Sequence, residues 1–277
     1  MAHNTEAVVF IGHDEREEVA VHVAAFSIAR RTRTKVRIKY LKHRELRKAG
    51  LFQRPWLIEG STGQYRDLLD DRPFSTQFSH TRFLIPELMK YNGTALFMDC
   101  DMIFLSDIKK LFNSMDQSKA VMCVKHNHVV QGQIQKMDDR PQLNYFRKNW
   151  SSFVMWNCSH PRNKQLTREK VNYMRGAELH AFVWLKEDDI GSIPYTYNFI
   201  SGVSPQIYTD EAKLISSKVP FDGAKQEKID VIHYTEGGPW FDNCRHVPYA
   251  DLWDEEYRMW VEAGSPTYDG IVVEQTS

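Results

Sequence analysis

The sequence predicts an α/β protein built on a mainly parallel sheet with crossover helices, and three features predict it. Residues 7–11 (AVVFI) form a continuous apolar run that passes through a turn into a helical pattern. A second run, residues 95–98, ends directly in Asp99-Cys100-Asp101. Strand-like and helix-like segments then alternate, the pattern of parallel strands joined by helices that cover both faces. At 277 residues with 42% hydrophobic content, the chain has enough apolar material for one large core.

Taken in order, the run at 7–11 leads into Gly12-His13-Asp14. Asp14 is placed to cap a helix with Glu17 three residues on, and Val19, Val23 and Phe26 recur on one helical face. A strand is expected at 35–41. Residues 50–73, rich in Gly, Pro and polar side chains without a period, read as irregular loops. A helix is expected over 76–91 despite Pro86, and strands at 95–98, 120–124, 152–156 and 229–233. Helices are expected at 164–174 and 252–262.

Lys plus Arg and Asp plus Glu each total 36, a formal balance that excludes a nucleic-acid binder working by bulk phosphate neutralisation. The basic stretch from Arg30 to Lys48 alternates with Val36, Ile38 and Tyr40, so it reads as a solvated sheet edge. Cys100, Cys123, Cys158 and Cys244 are scattered without Cys-x-x-Cys spacing, which fits the reduced thiols of a cytoplasmic enzyme. No leader pattern and no apolar stretch approaching about 18 residues is present, so a soluble chain without an integral membrane segment is expected.

Two constellations carry chemistry. Asp99 and Asp101 stand just past a buried strand, where open α/β sheets bind ligands. Two carboxylates there repel each other, and a hard divalent cation with oxygen ligands relieves the repulsion. A pair of loop-capping aspartates explains the motif alone equally well. The second is His233-Tyr234-Thr235-Glu236-Gly237-Gly238-Pro239-Trp240 at the end of another short strand. An imidazole there completes a metal site, and the two glycines let backbone approach a diphosphate; a structural histidine in a turn is the commoner meaning of such a residue by itself.

Together these motifs resemble glycosyltransferase family 8, and their order along the chain agrees. Residues 8–16 come first, then Ser79-His80-Thr81-Arg82-Phe83, Asp99-Cys100-Asp101, Pro194-Tyr195-Thr196-Tyr197-Asn198 and His233 to Trp240. The resemblance implies a single GT-A nucleotide-sugar-transferase domain over 1–277, with a nucleotide-binding half over about 1–125 and an acceptor-side half over about 126–277. It implies Asp99, Asp101 and His233 as ligands of manganese or magnesium. It further implies donor contacts from Ile11, Gly12, His13, Asp14 and Arg16 near the base, from Arg82, Asp99 and Cys100, and from Gly237, Gly238 and Trp240 at the diphosphate. The implied partners are a nucleotide-sugar donor, a UDP-sugar first, and a glycan or lipid-linked glycan acceptor, with retention of anomeric configuration.

The chain departs from the family at three places. Gly238 stands where a diphosphate-binding lysine is usual, which makes Arg245 or Lys225 the candidate source of positive charge. Trp150-Ser151-Ser152 replaces an Asn-Ala-Gly stretch, and His13-Asp14 stands where paired acidic residues are common. Asp188 and Asp189, in Glu187-Asp188-Asp189, resemble the family's acidic position near the reacting sugar and are the candidate catalytic residues; a solvated helix terminus explains them equally. Trp240 is the best aromatic candidate for the site, Trp150 and Trp156 are candidate acceptor contacts, and Trp184, Trp253 and Trp260 read as packing. Two other readings stay open, a phosphatase of the haloacid dehalogenase type, which also uses Asp-x-Asp after a strand, and a nucleotide-sugar-binding module without catalysis.

Overall fold

The first apolar run forms β1 (Ala7–Gly12); after a 3-10 turn at Glu15–Glu17 the chain enters α1 (Glu18–Ala29), returns through β2 (Val36–Leu41) and continues into α2 (His43–Lys48). The computed structural model describes residues 6–126, 147, 149–202 and 229–273, and the backbone of four two-residue strands at 135–136, 140–141, 206–207 and 214–215. Asp14 caps the 3-10 turn by accepting from Arg16 N. The box expected between Asp14 and Glu17 does not form, because α1 begins one residue beyond Glu17 and that side chain is buried.

Residues 50–73 are not irregular. They carry an antiparallel meander of β3 (Trp56–Ile58), β4 (Tyr65–Asp67) and β5 (Pro73–Phe74), whose strands are too short for alternation to show in sequence. Trp56, Tyr65 and Phe74 pack ring against ring across it. The helix expected over 76–91 is likewise corrected, to a 3-10 turn at Thr81–Leu84 followed by α3 (Ile85–Leu88) alone. Pro86 has no N–H to give, so a helix can start beside it but cannot run through it. Lys90 and Tyr91, both at positive φ, then end the segment.

The chain continues through β6 (Thr94–Met98), β7 (Met102–Phe104), α4 (Lys109–Asn113), β8 (Val121–Cys123), β9 (Gln135–Lys136), β10 (Arg140–Pro141) and β11 (Phe153–Asn157). After α5 (Arg168–Tyr173) and α6 (Gly176–His180) come β12 (Ile190–Ser192), β13 (Phe199–Ile200), β14 (Gln206–Ile207), β15 (Leu214–Ile215), β16 (Val231–His233), α7 (Ala250–Glu262) and β17 (Val272–Val273).

Seven strands form the central sheet in the order β12-β8-β11-β6-β1-β2-β17. Five run the same way, and β11 and β17 run against them, so the sheet is mixed but mainly parallel. Ala95 to Met98 in β6 are completely shielded from solvent, as a strand with apolar residues on both faces must be. β2 is not a free edge, although Arg33, Lys39, Arg44 and Lys48 of its basic stretch are exposed. β17 pairs with it, Lys42 Nζ donates to Asp269 Oδ2 at 2.8 Å, and Arg30 and Arg31 both reach the buried Glu256 of α7. Trp156 also differs from its expected place, lying in the core against Phe83, Phe182 and Trp184. Among the described residues, no helix is long and apolar enough to cross a membrane.

Candidate metal and donor site

Strand register fixes which side chains meet. Ile11 lies opposite Met98, so the turn at Gly12 sits level with Asp99 at the carboxyl end of β6. Phe153 pairs with Met98 from the other side, which brings the 3-10 turn at Trp150–Ser152 to the same end. β7 then leaves the main sheet and pairs with β16 in a second sheet, β13-β16-β7, where His233 stands opposite Met102. Tyr234 N donates to Asp101 O at 2.8 Å. This short strand, hidden in the sequence as three apolar residues after Asp101, delivers the histidine to the aspartates.

One ligand atom from each of Asp99, Asp101 and His233 lies within 4.8 Å of the others. His233 is buried, and its Nε2 is 3.3 Å from Asp101 Oδ1. Its Nδ1 is 2.8 Å from Asn198 Oδ1, and Asn198 Nδ2 donates to Ser152 Oγ at 3.0 Å. Arg82 Nη1 is 2.8 Å from Asp99 Oδ1 and donates to Ser151 O at 2.9 Å, with its guanidinium over the rings of Phe78 and Phe97. One guanidinium against two carboxylates leaves a negative balance beside an imidazole, and that donor set fits a hard or borderline divalent cation. Ser152 O also accepts from Asp99 N at 2.9 Å, so the Trp150–Ser152 turn braces the aspartate, the arginine and, through Asn198, the histidine.

The expected donor residues divide. Ile11 and Cys100 are buried, and burial among carboxylates holds the Cys100 thiol well above its usual range. Gly12 lies under Phe78, where a Cβ would come within 2.4 Å of the ring. His13 stacks against Tyr40 and pairs with Glu18 at 2.6 Å. The Asp14 carboxylate accepts from Arg16 N, Nε and Nη2, from Gln77 N and from Tyr65 OH, so Asp14 and Arg16 fasten the first turn to the meander. Gly237 has φ +110°, and Gly238 lies beneath Trp240, whose ring an added Cβ would meet at 1.9 Å. Arg245 pairs with Asp242 at 3.0 Å, and Lys225 lies outside the described residues.

Asp188 and Asp189 are not brought to this cluster. Ile190 pairs with Val121, Val121 with Trp156 and Trp156 with Ala95, so Asp189 is level with the start of β6. That is about 13 Å along the strands and about 14 Å across them from the carboxyl end of β6. Asp189 Oδ2 accepts from Lys186 N at 2.8 Å as a local cap, and Lys119 Nζ donates to Asp188 O. The fold therefore places these carboxylates in a turn at a strand entrance. Trp150 is also turned inward, donating from Nε1 to His126 O at 2.8 Å.

Sequence reasoning missed His180. Its Nδ1 is 2.6 Å from Ser151 Oγ, on the turn that braces Arg82. Burial, with the charge of Arg82, holds its pKa well below the usual imidazole value. No sequence periodicity points to it, because it ends a five-residue helix.

A mainly parallel sheet with Asp-x-Asp past a central strand and a histidine returned by a second sheet defines a glycosyltransferase of the GT-A fold. The chain belongs to glycosyl transferase family 8, whose model matches residues 13–244. It is 41% identical over 248 residues, 90% of this chain and 85% of the relative, to Protein CDI of Arabidopsis thaliana. Its fold is similar to that of the glycosyltransferase GlyE of Streptococcus pneumoniae TIGR4, with TM-score 0.53, 13% identity, and coverage of 94% of this chain and 64% of that one. It is also similar to the galactosyltransferase LgtC solved with donor and acceptor sugar analogs, with TM-score 0.52, 13% identity, and coverage of 91% and 95%. Family membership removes the phosphatase reading, which has no place for His233 beside the two aspartates.

Proposed function

We propose that the chain transfers a sugar from a nucleotide-sugar donor, a UDP-sugar, to a glycan or lipid-linked glycan acceptor with retention of configuration. The observation that carries this reading is the convergence of Asp99, Asp101 and His233 at the carboxyl end of β6, beside the turn that follows β1. These three residues would hold manganese or magnesium. A bound divalent ion supplies charge neutralisation of the diphosphate leaving group and orients it.

The remaining work falls to the protein itself. Arg82 pairs with Asp99 and orients its carboxylate. The turn from Ile11 to Asp14 stands level with Asp99, where the donor base would lie, and the segment after His233, with Gly237 at φ +110°, is where the diphosphate would run. Ser151, hydrogen-bonded to His180 on the turn beside Asp99, would orient a sugar hydroxyl rather than attack the anomeric carbon. The four cysteines, all buried and none in a disulfide, support a cytoplasmic setting.

The test is hydrolysis of a panel of UDP-sugars in the presence of manganese. Slow hydrolysis of one donor that EDTA abolishes and added manganese restores supports the transferase. Donor binding without any turnover, with or without candidate acceptors, supports instead a binding module that has lost catalysis.

A further inference from the structure

A backbone carbonyl can only accept a hydrogen bond, and one such carbonyl fixes the polarity of a buried chain that ends at His233. Ser152 Oγ is 2.7 Å from Asn149 O and must donate to it. The serine oxygen is then left as the acceptor for Asn198 Nδ2, at 3.0 Å. With its amide nitrogen committed there, Asn198 presents Oδ1 to His233 Nδ1 at 2.8 Å, and that contact is a hydrogen bond only if Nδ1 carries the proton. The neutral imidazole is thereby left with a bare Nε2, which makes no hydrogen bond among the described residues and faces Asp101 Oδ1 at 3.3 Å. Asn198, Ser152 and His233 are all buried, so water does not compete to reverse the sequence of donors.

We propose that Ser152 and Asn198 are positioning residues forming a tautomer lock, which holds His233 with its proton on Nδ1 and its Nε2 lone pair aimed between the aspartates. A free imidazole prefers the opposite tautomer, with the proton on Nε2, and in that form the nitrogen facing Asp101 cannot bind a cation. The lock therefore stores the metal-binding form in the metal-free chain. It resides on the turn that also holds Asp99 N and Arg82, so all three ligands share one brace.

The consequence for metal affinity rests on the proposed metal site; the tautomer itself does not. The experiment is nitrogen-15 NMR of the histidine rings in the full metal-free protein, above the imidazole titration range, with His233 assigned by its loss in His233→Gln. The wild type is expected to show His233 protonated on Nδ1. Ser152→Ala removes only the hydroxyl, frees the Asn198 amide to turn, and is expected to give a mixed or Nε2-protonated ring with manganese affinity lowered about 10-fold or more. Asn198→Asp still accepts from Nδ1 and is expected to keep the wild-type tautomer. An Nε2-protonated ring in the wild type overturns the proposal, as does an unchanged ring and unchanged manganese affinity in Ser152→Ala. A wild-type ring protonated on Nδ1, lost in Ser152→Ala, in a protein that binds no manganese would uphold the lock and break the metal reading alone.

Discussion

Two acidic clusters, alike on paper, have opposite fates in the fold. Asp99 and Asp101 lie past the carboxyl end of β6, where β7 turns away to recruit His233, and where Arg82, Ser152 and Asn198 hold these side chains from behind. Asp188 and Asp189 lie before the amino end of β12, where one carboxylate caps its own turn and Lys119 reaches the backbone of the other. Both clusters adjoin a strand of the same sheet. What separates them is the end of the strand: the carboxyl ends of parallel strands open onto a crevice, whereas the amino ends are closed by the incoming connections. Strand direction, not acidity, decides which pair is brought to the candidate metal site.

That contrast is sharpest in substitutions. Asp101→Ala is expected to lower sugar transfer on the order of 1,000-fold, because charge neutralisation of the leaving group is lost with the ligand; initial rates at saturating manganese measure it. Arg82→Ala is expected to cost about 3 kcal/mol of stability by chemical denaturation, since it leaves the half-buried Asp99 charge without its guanidinium. Gly238→Ala would drive a methyl into the Trp240 ring and is expected to destabilise by about 2 kcal/mol. In the other cluster Asp189→Ala loses a cap, an effect of about 1 kcal/mol on stability with transfer unchanged. Asp188→Ala should alter neither stability nor transfer measurably, and a large loss of transfer in it would return this cluster to the site.

Long apolar runs made the sheet legible, and polar residues at their ends made the Asp99, Asp101 and His233 cluster legible. β6 shows as an apolar run ending in two aspartates, and β16 as a short strand ending in His233. What was hidden depends on elements too short to have a period. β7 is three residues, and without it His233 has no visible route to Asp101. The meander at β3 to β5 is built of two- and three-residue strands, and the helix expected over 76–91 is cut by a proline whose effect on backbone hydrogen bonding outweighs the apolar pattern around it. Asn198 and Ser152 were visible as residues but not as partners, because a 46-residue separation gives no local signal of contact. Asp188 and Asp189 are not brought to the cluster for the complementary reason, since nearness to a motif in sequence says nothing about which end of a strand a residue occupies.

The most direct test of the account is calorimetric titration of UDP into the wild type and Asp101→Ala, each with and without manganese. UDP binding that requires manganese in the wild type and disappears in the variant is the predicted result. Equal UDP binding by both proteins, with no dependence on the metal, would contradict the assignment of Asp99, Asp101 and His233 as the centre of the donor site.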